Sequence, residues 1–138
     1  MGKKLLTVEL VTEESRARES LAAIEASGGT VHGAARPWDV PADLIEDYSD
    51  AQFEPLTIVA AAVSAAFLIK RISDVWLDHN RPGGQVVDAR RGKLVVRVAP
   101  HLERGTLVVL TDQGKEVYSP DRSDAAAAVL EKLFAGRG

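Results

Sequence analysis

From Leu56 to Ile69 the chain runs fourteen residues without a charge, and Lys70, Arg71 and Asp74 follow directly. No other stretch restricts the fold as strongly, because so much apolar surface has to be hidden from water. As an α-helix it would rise about 21 Å at about 1.5 Å per residue, short of the ~30 Å hydrocarbon core of a bilayer. Pro55 stands where a first helical residue would. Behind it Ile58, Ala62, Ala65, Ile69, Ile72 and Trp76 recur at spacings of four, three, four, three and four, a heptad-like stripe. The reading is one long Ala-rich helix over 55–78, covered on all sides in its first half and on one face in its second. Such a helix enters the core or meets a partner. Its alternative is a membrane-associated component that inserts Leu56–Ile69 and leaves Lys70 and Arg71 at a cytoplasmic interface.

The remaining pattern places that helix in a single α+β domain spanning 1–138, a length that suits one hydrophobic core. Alternation from Leu5 to Val11 makes a strand, and Thr12 offers an oxygen to cap a helix carrying Ala17, Leu21 and Ile24 on one face. Gly28 and Gly29 stop it, giving a strand–helix unit over 1–29. Gly33, Pro37 and Pro41 break periodicity in 30–54, an acidic loop with a short helix near 42–48. Beyond the turn at 80–84, strands near 85–89, 93–99, 106–111 and 115–118 are joined by short polar links, hence an antiparallel meander over 85–118. A helix over 121–135 closes the chain, with Ala126, Val129, Leu130 and Leu133 facing inward. The fold class is an antiparallel sheet of four to five strands, the first strand beside the meander, with helices packed on one face.

Catalytic chemistry finds little support. There is no cysteine, which excludes disulfides, thiolate metal sites and cysteine nucleophiles and suits a reducing cytoplasm. Glu9 interrupts any secretory signal in the first strand. His32, His79 and His101 stand in separate loops and suggest no metal. The glycine pairs match no phosphate loop or dinucleotide fingerprint, no serine sits in a nucleophile elbow, and no cofactor is implied. Asp43, Glu46, Asp47, Asp50 and Glu54 could serve a small hydrolase, but with no cation between Pro37 and Ile69 they read as a solvated acidic face or a patch for a basic partner. Arg90, Arg91, Lys93 and Arg97 form a basic hairpin without interleaved aromatics in an acidic chain, so a nucleic-acid partner is disfavoured.

The layout from Phe53 onward resembles the effector-associated constant component family. The residues that carry this are the charge-free helix ending in Lys70-Arg71, the glycine turn, the alternation Lys93-Leu94-Val95-Val96-Arg97-Val98, Glu116-Val117-Tyr118, and the Ala-rich helix from Asp124. With the opening strand and helix, the resemblance covers most of the chain, through layout and hydropathy alone. Ser73 to Gln85 departs from the pattern by separating helix from hairpin. The resemblance implies a non-catalytic companion of an effector in a bacterial conflict or antiviral defence system, and it transfers no site residues.

The formal charge of −3 hides a division. The six acids between Asp39 and Glu54 have no cation among them, so that segment carries −6 and the rest of the chain +3. Opposed patches favour contact over turnover. The sequence therefore points to a protein-binding or regulatory module, an adaptor that meets a partner or effector and forms a homo-oligomer. Its contact residues are Ile58, Val59, Val63, Phe67 and Trp76 on the long helix, Asp43, Asp47 and Asp50 on the acidic segment, and Arg90, Arg91 and Lys93 on the hairpin.

Overall fold

A computed structural model describes residues 5–49 and 54–136. Eight strands form one mixed sheet in the order β2-β4-β1-β6-β5-β7-β8, with β3 also paired to β4. The strands are β1 Leu5–Glu13, β2 Thr30–Val31, β3 Arg36–Pro37, β4 Leu56–Ser64, β5 Gly84–Asp88, β6 Val95–Ala99, β7 Leu107–Thr111 and β8 Gly114–Tyr118. Three α-helices, α1 Ala17–Ala26, α2 Ala65–Trp76 and α3 Ser123–Ala135, and four short 3₁₀ turns complete the described elements. The α+β class holds, while the sheet is larger than expected and not purely antiparallel.

The largest departure lies in the charge-free run. Its first nine residues are a strand, and the helix begins only at Ala65. β4 pairs antiparallel with β1 from Leu5↔Ser64 to Glu13↔Leu56, and on its other side with β2 and β3. Both its faces are buried in part, Val59, Ala61 and Val63 in the core under the helices and Ile58 on the other side, so it has little need of polar residues on either. Thr57, Ile58, Val59 and Val63 are β-branched and suit it, whereas Ala60, Ala61 and Ala62 fit a strand or a helix by pattern. The heptad stripe is thus an accident of two periods: Ile58 and Ala62 face away from the helices, and Ile72 and Trp76 lie among them. Ser64 ends the strand and caps α2, its hydroxyl accepting from Phe67 N at 3.1 Å. With a strand over Leu56–Ser64, the inserted-helix alternative loses its helix, and among the described residues no helix is long and apolar enough to cross a membrane.

The opening strand runs on to Glu13, so Thr12 is a buried strand residue rather than a cap. A 3₁₀ turn over Glu14–Arg16 precedes α1, which buries Ala17 and Ile24 as expected, with Ser20 beside them. The short acidic helix reduces to a 3₁₀ turn over Ala42–Leu44 followed by further turns.

The meander is in fact two hairpins. β5 with β6 and β7 with β8 are antiparallel as expected, but β7 lies parallel to β5 instead of beside β6. The link from β6 to β7 must then pass across the start of β5. Gly83 and Gly84 make this crossing possible. A Cβ on Gly84 would stand 2.2 Å from Thr106 O, and one on Gly83, whose φ is +76°, would stand 2.6 Å from Ala99 O. β1 then lies parallel to β6, beside the C-terminal strands as expected.

The helices cover one face. Val59, Leu10, Val96, Val87 and Val109 form one row across the sheet through their registers. They pack with Ile24 of α1, Leu68, Ile72 and Trp76 of α2, and Ala126, Leu130 and Phe134 of α3. Among the described residues no α-helix covers the opposite face, where the corresponding row is Ile58, Val11, Arg97, Val86, Val108 and Val117, all but Val117 buried.

Candidate functional site

The helix-free face carries a cleft of ≈ 430 Å³. Its floor comes from Glu9 of β1, Ile58 of β4, Asp88 of β5, and Val95 and Arg97 of β6. The segment from Arg36 to Leu44 forms one wall, and Arg90 and Lys93 of the β5–β6 link form the other. The sheet alternation that sends Val87 and Val96 under the helices sends Asp88, Val95 and Arg97 the other way.

Charges on the floor are paired. Arg97 is 5% exposed, and its guanidinium reaches Asp88 at 3.3 Å and Tyr48 Oη at 3.1 Å. Arg90 grips the same Asp88 with Nε at 2.9 Å and a terminal nitrogen at 2.7 Å, the bidentate geometry that a planar guanidinium favours. Burial raises the Asp88 pKa, but the side-chain and backbone hydrogen bonds of Arg90, joined by Arg97, outweigh it and hold the carboxyl below its ordinary value. Lys93 reaches Glu9 at 2.6 Å with most of its side chain in solvent.

Tyr48 fastens the acidic segment to the sheet. Its hydroxyl donates to Val98 O at 3.0 Å while accepting from Arg97, and its ring meets Trp38 and His101 edge to face at 4.9 and 5.0 Å. Burial raises the Tyr48 pKa against the opposing pull of Arg97. Burial likewise lowers that of His101, against Asp47, whose carboxylate is 3.9 Å away.

Four of the anticipated contact residues meet here: Ile58 on the floor, Asp43 on one rim, Arg90 and Lys93 on the other. Asp47 is exposed beside His101, at the foot of the same segment. Phe67 lies away from the cleft, half-buried in a groove between α1 and α2. Val59 and Val63 are wholly buried under the helices, and Trp76 is a core residue whose Nε1 donates to Gly105 O at 2.7 Å. These three present no surface to a partner. Asp50 lies outside the described residues, as does the side chain of Arg91.

Glu9, Tyr48 and Asp88 belong to the site without having been singled out by sequence. The one available signal was Tyr48, an aromatic ring in a segment otherwise rich in acids. Among the described residues no group of three or more histidines and carboxylates could hold a metal. Asp43, Glu46 and Asp47 are exposed rather than sheltered, which is not the setting that tunes a carboxylate for acid–base work. Comparison of the chain with family models, curated proteins and solved structures finds no match in any of the three.

Proposed function

We propose that the chain is a non-catalytic protein-binding module and that the cleft on the helix-free sheet face is where it receives its partner. The observation that carries this reading is the convergence of Asp43, Ile58, Arg90 and Lys93 on one concavity, where Ile58 and Val95 lie beside the paired charges of the floor and the rims bear opposite charge. Such a surface suits an extended polypeptide with charges of both signs flanking a small apolar residue, because each rim repels the wrong register. The partner or effector belongs to a bacterial conflict system in this reading, as the resemblance to the effector-associated constant component family implies; the identity of the flanking genes tests that part independently. Self-association through the same face is the homo-oligomeric form of the proposal.

Affinity co-purification from the native host tests the assignment with two variants of the full chain. The pair Asp43→Lys with Lys93→Glu inverts both rims and is expected to lose the proteins that the wild type retains. Glu131→Ala, on the exposed surface of α3, is expected to keep them. Equal retention by both variants removes the cleft from the reading. Light scattering addresses self-association: a wild-type protein that stays monomeric at every concentration removes it.

A further inference from the structure

The helix side carries a second concavity whose electrostatics are incomplete. A groove of ≈ 270 Å³ runs between α1 and α2, with Arg16, Glu19 and Ser20 on one wall and Lys70, Arg71 and Asp74 on the other, closed at its end by Asp78 and Arg81. Most charges here are matched. Lys70 pairs with Asp74 at 2.7 Å, and Arg81 donates twice to Glu13 at 3.0 and 2.7 Å with Asp78 at 3.9 Å. Among the described residues the side chains of Arg16 and Arg71 have no hydrogen bond or ion pair, and Glu19 is the one wall carboxylate likewise unpaired. Two guanidinium groups therefore face one acid that makes no direct contact with either and acts on Arg71 only by Coulomb attraction.

Arg71 is half-buried, and burial depresses its pKa, with Arg81 and Arg16 adding to the effect against Glu19 and Glu13. A desolvated guanidinium with no direct partner is unfavourable, and the group that relieves it best is a planar or tetrahedral oxyanion matching its fork of donors. The groove lies just below the usual ligand-pocket range of about 300–1,000 Å³, too small for a nucleotide and large enough for a compound of a few carbon atoms.

We propose that the groove between α1 and α2 binds a small oxyanionic ligand, a phosphate or carboxylate compound, held between the guanidinium groups of Arg16 and Arg71. This site is independent of the sheet-face cleft, and its ligand is a small molecule where the cleft takes a polypeptide.

Titration of the full chain with inorganic phosphate, and separately with succinate, at constant ionic strength tests it by amide chemical shifts and thermal melting. At least one of the two anions is expected to produce saturable shifts at Ser20, Ala23 and Arg71 and to raise the melting temperature. Saturation by phosphate alone assigns a phosphate ligand, and saturation by succinate alone a carboxylate. Arg71→Gln and Arg16→Gln are each expected to weaken binding about tenfold, the scale of one charge-assisted contact. Arg18→Gln, on the exposed side of α1, leaves binding unchanged. Arg71→Met separates binding from folding: without anion it is expected to melt at or above the wild-type temperature, since it removes an unpaired charge, and it abolishes the response to anion. Shifts that rise linearly with both anions, or binding that persists at wild-type strength in Arg71→Met, overturn the proposal.

Discussion

At the residue scale the buried charged side chains among the described residues are two arginines with different environments. Arg81 is 8% exposed and satisfied by Glu13; removing one partner strands the other, so Arg81→Ala is expected to cost about 3–5 kcal/mol in urea unfolding. Arg97 shares its guanidinium between Asp88 and Tyr48, and Tyr48→Phe deletes one acceptor there along with the donor to Val98 O. That loss is expected to cost about 1–2 kcal/mol by the same measurement. The pH dependence follows from three groups whose pKa values all lie below their ordinary ones: His101, whose ordinary value is 6.5, Glu13 at 4.5 and Asp88 at 3.8. Burial is the largest influence on each, lowering His101 directly. For the two carboxylates burial opposes the shift; hydrogen bonds to Glu13 from backbone and Arg81, and to Asp88 from Arg90 and Arg97, reverse it. A depressed folded pKa means that the unfolded chain takes up the proton first, so each contribution is complete above the unfolded value and lost as pH falls through the folded one. Melting temperature is therefore expected to fall on acidification in two stages, the first beginning near pH 6.5 and the second below about 4.5. His101→Gln is expected to remove only the first stage.

At the scale of elements, the junction at Ser64 decides where strand becomes helix. Ser64→Ala deletes the acceptor for Phe67 N and is expected to cost about 1 kcal/mol. The crossing at β5 offers a sharper contrast between two glycines. Gly92 has φ +72° and open space where a Cβ would go, so Gly92→Ala meets only left-handed strain of about 1–2 kcal/mol. Gly84→Ala instead drives a methyl group into the Thr106 carbonyl, and the strand or the crossing link has to move. Thermal melts of the pair are expected to show Gly84→Ala as the more damaging substitution. Elements with one exposed face were legible in advance: β1 and α1 nearly to their bounds, the two hairpins as pairs, and α3 with Ala126 and Leu130 inward. The run at 56–69 was not, because β4 buries Val59, Ala61 and Val63 under the helices and Ile58 on the opposite face, and so lacks the polar alternation that marks a half-exposed strand. Three consecutive alanines erased what remained of it.

For the whole molecule, the two charge patches seen in the sequence come to face one another, while the basic link takes its ion pairs from Asp88 and Glu9 of the sheet. The acidic segment lies along the same cleft as the basic β5–β6 link, and Asp43 contributes to raising the Arg90 pKa, behind the larger effect of Asp88 and against burial. Tyr48 is the fastening, so Tyr48→Ala is expected to hasten limited proteolysis within 38–49 while β4 and the helices resist. Slow amide exchange at Ile58, Val59 and Val63 is the companion expectation, since they are buried in an interior strand. The sequence by itself determined the α+β class, the absence of cysteine chemistry, the placement of polar turns and the segregation of acids from bases, because composition and local periodicity are properties of neighbours along the chain. The tertiary structure alone decided that residues 56–64 are a strand, that β7 lies parallel to β5, and that Asp43, Ile58, Arg90 and Lys93 share a cleft. Strand order and burial on both faces depend on segments far apart in sequence, and only their packing selects among alternatives that local pattern leaves equal.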